Sequence, residues 1–405
     1  MKVALYYPWI YLTSGAERVI LELTGRSRHE WTLFTSHYEP QNTFPGFAGR
    51  TVVQTGDISV SRSIGTVLKS AWKVLNLRLP LEDFDVLLVV CEGIGDFVLF
   101  RNSSCPALCV CLTPLRLVFD PEYQLRALQG RPLRQRLAIR VGAWSFYLLD
   151  RLAWKRYARV FCISEEVKKR VISGKLTGSA KLEVSYVGLG FEPPAPSGRF
   201  ERFFFLPGRI MWTKNIQLGI NAFREFREQN PEFRDFRLVV AGIVDQKSQT
   251  YYADMRALAE VAGNVEFWVF PSDAELSDLY SRCYGVLFTA FNEDWGIVPL
   301  ESMAFGKPAI CVNRGGPRES VQDNVDGFLE PPEVKRFAIR MAELAGNPAR
   351  AAEMGRAGHV NVRRFNWNAF TKRIDDEIDL CVSARARSEP SLGTRQSCAR
   401  SPIGS

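Results

Sequence analysis

Tyr284–Asn313 reads YGVLFTAFNEDWGIVPLESMAFGKPAICVN. An apolar strand-like run, YGVLFTA, enters a polar loop, FNEDWG. IVPLESMAFG then starts a helix, and PAICVN is a second apolar strand-like run. Strand, loop, helix and strand in this order are one unit of a parallel sheet. A helix that starts just after a strand offers free backbone N–H groups and the positive end of a dipole, which suit a phosphate. Gly296 lets the backbone approach a ligand closely. Pro299 is tolerated in a first turn, where its missing N–H costs nothing. Glu301 then sits just inside the helix, and Glu293 in the loop before it. Neither carboxylate helps a phosphate, so each is read as accepting hydrogen bonds from hydroxyls: a ribose diol for Glu301, a sugar for Glu293. The plainer reading is a pair of solvated acids near a helix start.

The same alternation extends in both directions. Upstream, KVALYY, WTLFTS, DVLLVV, ALCVCLT, RVFCIS and LEVSYVG alternate with helical stretches such as AERVILELTG and EEVKKRVISG. Near-continuous apolar strands between helices mean a parallel sheet covered on both faces. EPPAPSGRFE, from Glu192, reads as a linker. The pattern then restarts with RFFFLPGR, FRLVVAG and NVEFWVF before the opening unit. The fold class is therefore α/β: two doubly wound, Rossmann-like domains facing each other across a cleft, where ligands of such sheets bind. The expected divisions are 1–193, an acceptor-side domain; 194–365, a nucleotide-sugar-binding domain; 366–382, a helix capped by Asn366; and 383–405, a disordered tail poor in apolar residues.

The composition is that of a soluble globular chain: 405 residues, 46% hydrophobic, 24% charged. The net charge of +8 favours anionic partners. Nine cysteines, most in strand-like runs, read as buried thiols in a reducing compartment. Cys105, Cys109 and Cys111 lack paired spacing and a nearby His, so no metal site is expected. Three histidines do not build a His-rich catalytic cluster. The N-terminus is not read as a signal peptide, and no apolar stretch has the length of a membrane span. The expected location is cytoplasmic.

Three further stretches carry chemistry. In FLPGRIMWTKNI, Arg209 and Lys214 follow a strand and Gly208; two such cations neutralise a diphosphate, and without them the stretch is a surface basic pair. In VNRGGPRESV, Gly315 and Gly316 form another glycine-rich strand-to-helix turn, weak alone. In LTSGAERVILEL, Gly15 opens the first helix and allows close backbone approach, or is a plain turn glycine.

Together and in this order, Ser14–Arg18 (SGAER), Arg209 with Lys214, the E-x7-E of Glu293 and Glu301 around WGIVPLE, and GGPRE from Gly315 resemble glycosyltransferase family 4. The resemblance covers roughly residues 1 to 382 and is strongest from Leu206 to Leu329. It implies the GT-B architecture and retaining transfer from a nucleotide-diphosphate sugar, with no cofactor and no required metal. It further implies that Arg209 and Lys214 grip the diphosphate and that Glu301 binds the ribose. Glu293 would bind sugar hydroxyls, with backbone near Trp295, Gly296, Ile297 and Val298 at the donor. Gly15 would belong to the loop approaching the phosphates. Arg209, Lys214 and Glu293 are the catalytic set so implied.

PALCVCLTPLRLVFDPEY resembles a segment of the mannosyltransferase-like subgroup that reads Cys-His-Thr-Pro-Leu-Arg, but Leu112 stands in the place of the His. Leucine neither donates nor accepts a hydrogen bond. Altered catalysis, a different donor and loss of activity are the three consequences open; the intact donor side favours retained activity. The function expected is transfer of a hexose, mannose from GDP-mannose first among them, to a glycan or lipid-linked acceptor. A nucleotide-sugar epimerase and a non-catalytic nucleotide-sugar-binding subunit are the alternatives. Finally, Arg126–Arg159 carries eight Arg and Lys155 against one acid, Asp150, with Trp144, Phe146, Tyr147 and Trp154 interleaved. Two readings stand: a peripheral contact with an anionic membrane surface, or a helix that buries its aromatics and solvates its arginines, with a slight lean to the second. No nucleic-acid-binding module is present.

Overall fold

The computed structural model describes residues 1–60 and 64–388. Two all-parallel sheets form. The first holds β1 (Lys2–Tyr6), β2 (Glu30–Thr35), β3 (Thr51–Gln54), β4 (Val86–Cys91), β5 (Ala107–Cys111), β6 (Tyr157–Cys162) and β7 (Leu182–Val184), in the spatial order β3-β2-β1-β4-β5-β6-β7. The second holds β8 (Phe203–Pro207), β9 (Arg237–Gly242), β10 (Val265–Val269), β11 (Gly285–Phe288), β12 (Ala309–Val312) and β13 (Gly327–Glu330), in the order β10-β9-β8-β11-β12-β13. Both orders reverse direction at the first strand. That reversal opens a crevice at the carboxyl ends, between β1 and β4 and between β8 and β11.

The central strands are apolar at every position because helices cover both sides: β4 and β5 are buried from end to end. Right-handed crossovers decide which helix takes which face. The steps from β3 through β6 all run in one direction. They place helix Ile64–Asn76, the short segment Ile94–Phe100 and helix Leu133–Trp154 on one face of the first sheet. Helix Gly15–Arg26 makes the opposite step and lies on the other face, against helix Trp367–Ser388.

The linker is docked rather than free. Pro196 packs where Gly306 leaves no room for a Cβ, Ser197 Oγ donates to Ser281 O, and Lys307 Nζ donates to Arg199 O. Lys307 is 1% exposed and lies 3.9 Å over the Phe200 ring. Burial lowers its pKa to about 8. The Gly-Lys-Pro ending of the opening stretch thus anchors the linker.

The expected tail from 383 needs correction. Helix Trp367–Ser388 continues through the first six of those residues, after Asn366 Oδ1 accepts from Ala369 N at 2.9 Å. Arg385 and Arg387 in its last turn suit the negative end of the helix dipole. The remainder of the expected tail, 389–405, lies outside the described residues.

Candidate active site

Lys214, Glu293 and Glu301 converge at the carboxyl ends of β8 and β11. Lys214 closes a short turn, and Asn215 after it adopts a left-handed conformation with φ 51° before helix Ile216–Gln229. Two bonds hold that turn on β11: Thr289 Oγ1 donates to Lys214 O at 2.7 Å, and Phe291 N donates to Thr213 O at 2.9 Å. The Lys214 ammonium then meets Glu293 Oε2 at 2.6 Å. Burial pushes the Glu293 carboxyl up, but Lys214, Arg116 and Arg209 outweigh it and hold the group below its ordinary value. Arg209 follows Gly208, is exposed, and makes no hydrogen bond or ion pair among the described residues. It is the cation left open to a ligand.

Glu301 sits in helix Ile297–Ala304 and accepts from Tyr280 Oη at 2.6 Å. Burial raises its pKa, opposed by Tyr280 and Lys214. Gly296 caps that helix with φ 82°, a conformation that costs a side chain energy, and Phe288 would crowd its Cβ. Ile297 is partly exposed at the helix start and Val298 is buried. Trp295 turns away from the cations: its ring stacks on Tyr186 at 4.9 Å and meets the edge of Phe365.

GGPRE, weak in the sequence, has a definite role. A Cβ on Gly315 would fall 2.2 Å from Glu293 O, and one on Gly316 would fall 1.9 Å from Trp295 O. Gly316 N instead donates to Glu293 O at 2.9 Å. The two glycines let this turn lie directly under the Glu293 loop and fix its height.

Gly15 opens helix Gly15–Arg26 after β1, exposed, with no atom within 4 Å of a Cβ built there. No contact joins it to Lys214 or Glu293 among the described residues. Leu112 is 9% exposed and belongs to the apolar core, with its N–H donating to Cys91 O.

Several residues outside the expected site set tie the two sheets together here. Arg116 donates to Asn292 O at 3.1 Å and to Asp120. Arg170, buried, donates to Asp294 and to Thr113 Oγ1, and also faces Asp120 at 3.6 Å. Burial raises the Asp294 carboxyl, opposed first by Arg170 and then by Arg116. Glu319 of GGPRE caps helix Glu165–Ser173 from the other sheet, accepting from Glu165 N at 2.7 Å and Glu166 N at 3.0 Å. Tyr123 packs against Trp212, and Arg126 lies over Phe291. Asp294 and Glu319 lie inside stretches already quoted; their partners are a hundred or more positions away, so no local pattern reveals them.

Two other places gather polar groups. A hollow of about 440 Å³ lies at the chain crossover, lined by Glu22, Arg26, Phe191, Glu192 and Arg363 among others, and it holds none of the expected site residues. Behind Leu112, the ligand atoms of Cys91, Asp96 and Cys109 lie within 4.8 Å of one another. Cys91 Sγ and Tyr157 Oη both donate to Asp96, whose carboxyl burial holds well above its usual range. Partners on the protein itself thus satisfy this carboxyl.

The arrangement offers two cations and two carboxylates around backbone amides at a cleft, which fits a diphosphate joined to hydroxyl-bearing groups. Comparisons with known proteins identify the family. Residues 195–360 match the family described as glycosyl transferases group 1. The chain is 32% identical over 399 residues to the alpha-1,3/1,6-mannosyltransferase ALG2 of Mus musculus, covering 91% of this chain and 94% of that protein. It is 28% identical over 410 residues to ALG2 of Dictyostelium discoideum, covering 93% and 97%. Among solved structures, Anabaena HepE in complex with UDP and glucose superposes with a TM-score of 0.68 at 18% identity, over 94% of this chain and 99% of that one. Sucrose-phosphate synthase from Thermosynechococcus elongatus gives 0.73 at 15% identity, over 95% and 100%. These likenesses establish the GT-B fold, and the near end-to-end identity settles the enzyme class: the chain belongs to the group 1 glycosyltransferases.

Proposed function

We propose that this glycosyltransferase moves mannose from GDP-mannose to a glycan or lipid-linked acceptor, with retention at the sugar carbon and without a metal. The mannosyltransferase names of the relatives support the sugar. The observation that carries the site assignment is the Lys214–Glu293 ion pair beside the open Arg209. In this reading the donor diphosphate takes the two cations. Glu293 is then released to the hydroxyls of the sugar, and Glu301, held by Tyr280, receives the ribose. Arg209, Lys214 and the amides at the start of helix Ile297–Ala304 stabilise the charge that grows on the leaving diphosphate. The ties from Arg116, Arg170 and Glu319 hold the two halves closed and exclude water.

No helix among the described residues is long and apolar enough to cross a membrane. The chain works in this reading at the cytoplasmic face of a membrane, where a lipid-linked acceptor presents its head group.

The test is nucleotide release from GDP-mannose, UDP-glucose, UDP-GlcNAc and ADP-glucose, with the anomeric configuration of the product read by NMR and a chelator added in parallel. Selective release from GDP-mannose, retention and indifference to the chelator are expected. Selective release from another donor, inversion, or loss of activity with the chelator would each remove the corresponding part of the proposal.

A further inference from the structure

Helix Leu133–Trp154 has two apolar faces. The inner face carries Ala143, Phe146, Tyr147, Asp150 and Trp154; Phe146 packs on Phe97 and Tyr147 on Phe119. The outer face carries Leu133, Leu137, Val141, Trp144, Leu148 and Leu152, all exposed, with Trp144 at 63%. Their spacing of three and four places them in one stripe along the helix. The helix is 22 residues, roughly 33 Å, long, and the stripe runs nearly its whole length. A core explains the first face and leaves the second unaccounted for. The lean towards a helix that buries its aromatics and solvates its arginines therefore holds for half of the helix only.

Helix Ile64–Asn76 repeats the pattern. Leu68 and Trp72 are exposed, Trp72 at 68%. Both helices pack against the same short segment, Ile94–Phe100, on the same face of the first sheet. Their outer surfaces therefore look away from the sheet on one side. On the two helices themselves the exposed charge has one sign, although the exposed Asp57 lies in the loop whose carbonyl Lys73 reaches. Lys69 and Lys73 flank Trp72, and Arg134, Arg140 and Arg151 flank the leucine stripe. Neither helix carries an exposed acid: the first has none, and Asp150 of the second is 1% exposed. Water-exposed apolar surface of this extent on a soluble protein marks an interaction site. Leucine and tryptophan on helices whose exposed charges are all cations complement a surface that is apolar within and anionic at its rim, which is a bilayer rich in acidic phospholipid.

We propose that the outer faces of helices Ile64–Asn76 and Leu133–Trp154 form one docking surface that seats the enzyme on an anionic bilayer, with Trp72 and Trp144 at the level of the head groups. This deepens, and rests for its purpose on, the reading of a lipid-linked acceptor. A seated enzyme meets its acceptor by diffusion in two dimensions, with the donor arriving from solution.

The full chain is sedimented with vesicles of phosphatidylcholine alone and of phosphatidylcholine mixed with phosphatidylserine. Binding to the mixed vesicles is expected to be at least about tenfold stronger and to weaken with salt. Trp72→Ser with Trp144→Ser is expected to reduce it at least about tenfold, and Lys69→Glu with Arg140→Glu to remove the preference for phosphatidylserine. Thermal melting checks that each variant is folded. No vesicle binding by the wild type, equal binding to both vesicle types, or unchanged binding by the folded tryptophan variant overturns the proposal. So does a dimer, seen by light scattering, that the tryptophan variant disperses, since the surface would then belong to a second copy. Calorimetric binding of GDP-mannose, without vesicles, reads the donor site separately. Vesicle binding with no donor binding would refute the transfer reading and leave the docking surface standing.

Discussion

Replacing Lys214 by alanine removes one of the two cations assigned to the diphosphate. The local backbone does not depend on the side chain, since Thr289 and the Phe291 amide hold the Thr213 and Lys214 carbonyls. The protein is therefore expected to fold. Losing one preorganised donor to a developing anion costs about 10²–10³ in rate, or about 3–4 kcal/mol. The same change leaves Glu293 without the partner at 2.6 Å, so its pKa rises, with Arg116 and Arg209 left to oppose burial. The sign follows from linkage. In the wild type the carboxyl sits below its unfolded value, so its stabilising effect is full above that value and is lost as pH falls through the folded one. In the variant that contribution is gone, on the order of 1 kcal/mol at neutral pH for a pair that retains some solvent. The acid limb of any residual activity moves to higher pH. The assay is GDP release with a pH profile, beside thermal melting. A folded Lys214→Ala protein that works within about tenfold of the wild type, with an unmoved acid limb, would refute both the diphosphate role and the ion pair.

Arg170→Met is expected to lower stability by about 3–5 kcal/mol, because Asp294 and Asp120 lose their buried guanidinium; equal denaturant midpoints would contradict this. Lys307 is a buried ammonium whose pKa is lowered from 10.5 to about 8, so the unfolded chain holds its proton more tightly. Wild-type stability should therefore rise with pH between these values, by an amount on the order of 3 kcal/mol, and Lys307→Met should flatten that rise in denaturant titrations. Leu112→His places a polar ring at a core position and is expected to cost about 1–3 kcal/mol while changing transfer less than tenfold. A large gain in rate would instead show that Leu112 silences the site.

The apolar runs that became the central strands were plain in the sequence because burial on both faces leaves no polar position to confuse them. β3 and β13 were not, for a different reason: TVVQ and GFLE are four-residue edge strands, too short and too mixed to show a pattern. The triad of Lys214, Glu293 and Glu301 was legible because each follows a strand at a spacing that a crossover brings to one end of the sheet. Tyr280, Arg170 and Asp294 were not, since their value comes from partners that only the fold supplies. The last helix was cut short in the reading because its final turns carry arginine and small residues in place of an apolar stripe, although the helix continues to Ser388.

The chain crosses between the two sheets twice. Helix Trp367–Ser388, made last, returns to the first sheet: Trp367 Nε1 reaches Leu189 O, Arg26 reaches Asn368, and Ser27 reaches Asp375. On the ribosome, residues 2–184 therefore emerge with one side of their core uncovered while the whole second sheet is synthesised. The second sheet has all its strands by Glu330 and closes as an insertion within an unfinished host. Helix Gly15–Arg26 waits for its cover until the final turns appear, so a frameshift or stop after residue 366 would strand the first half of the protein as well as the end. In the cell such a product would be met by chaperones and proteases through a surface on the amino-terminal half, far in sequence from the lesion that exposed it.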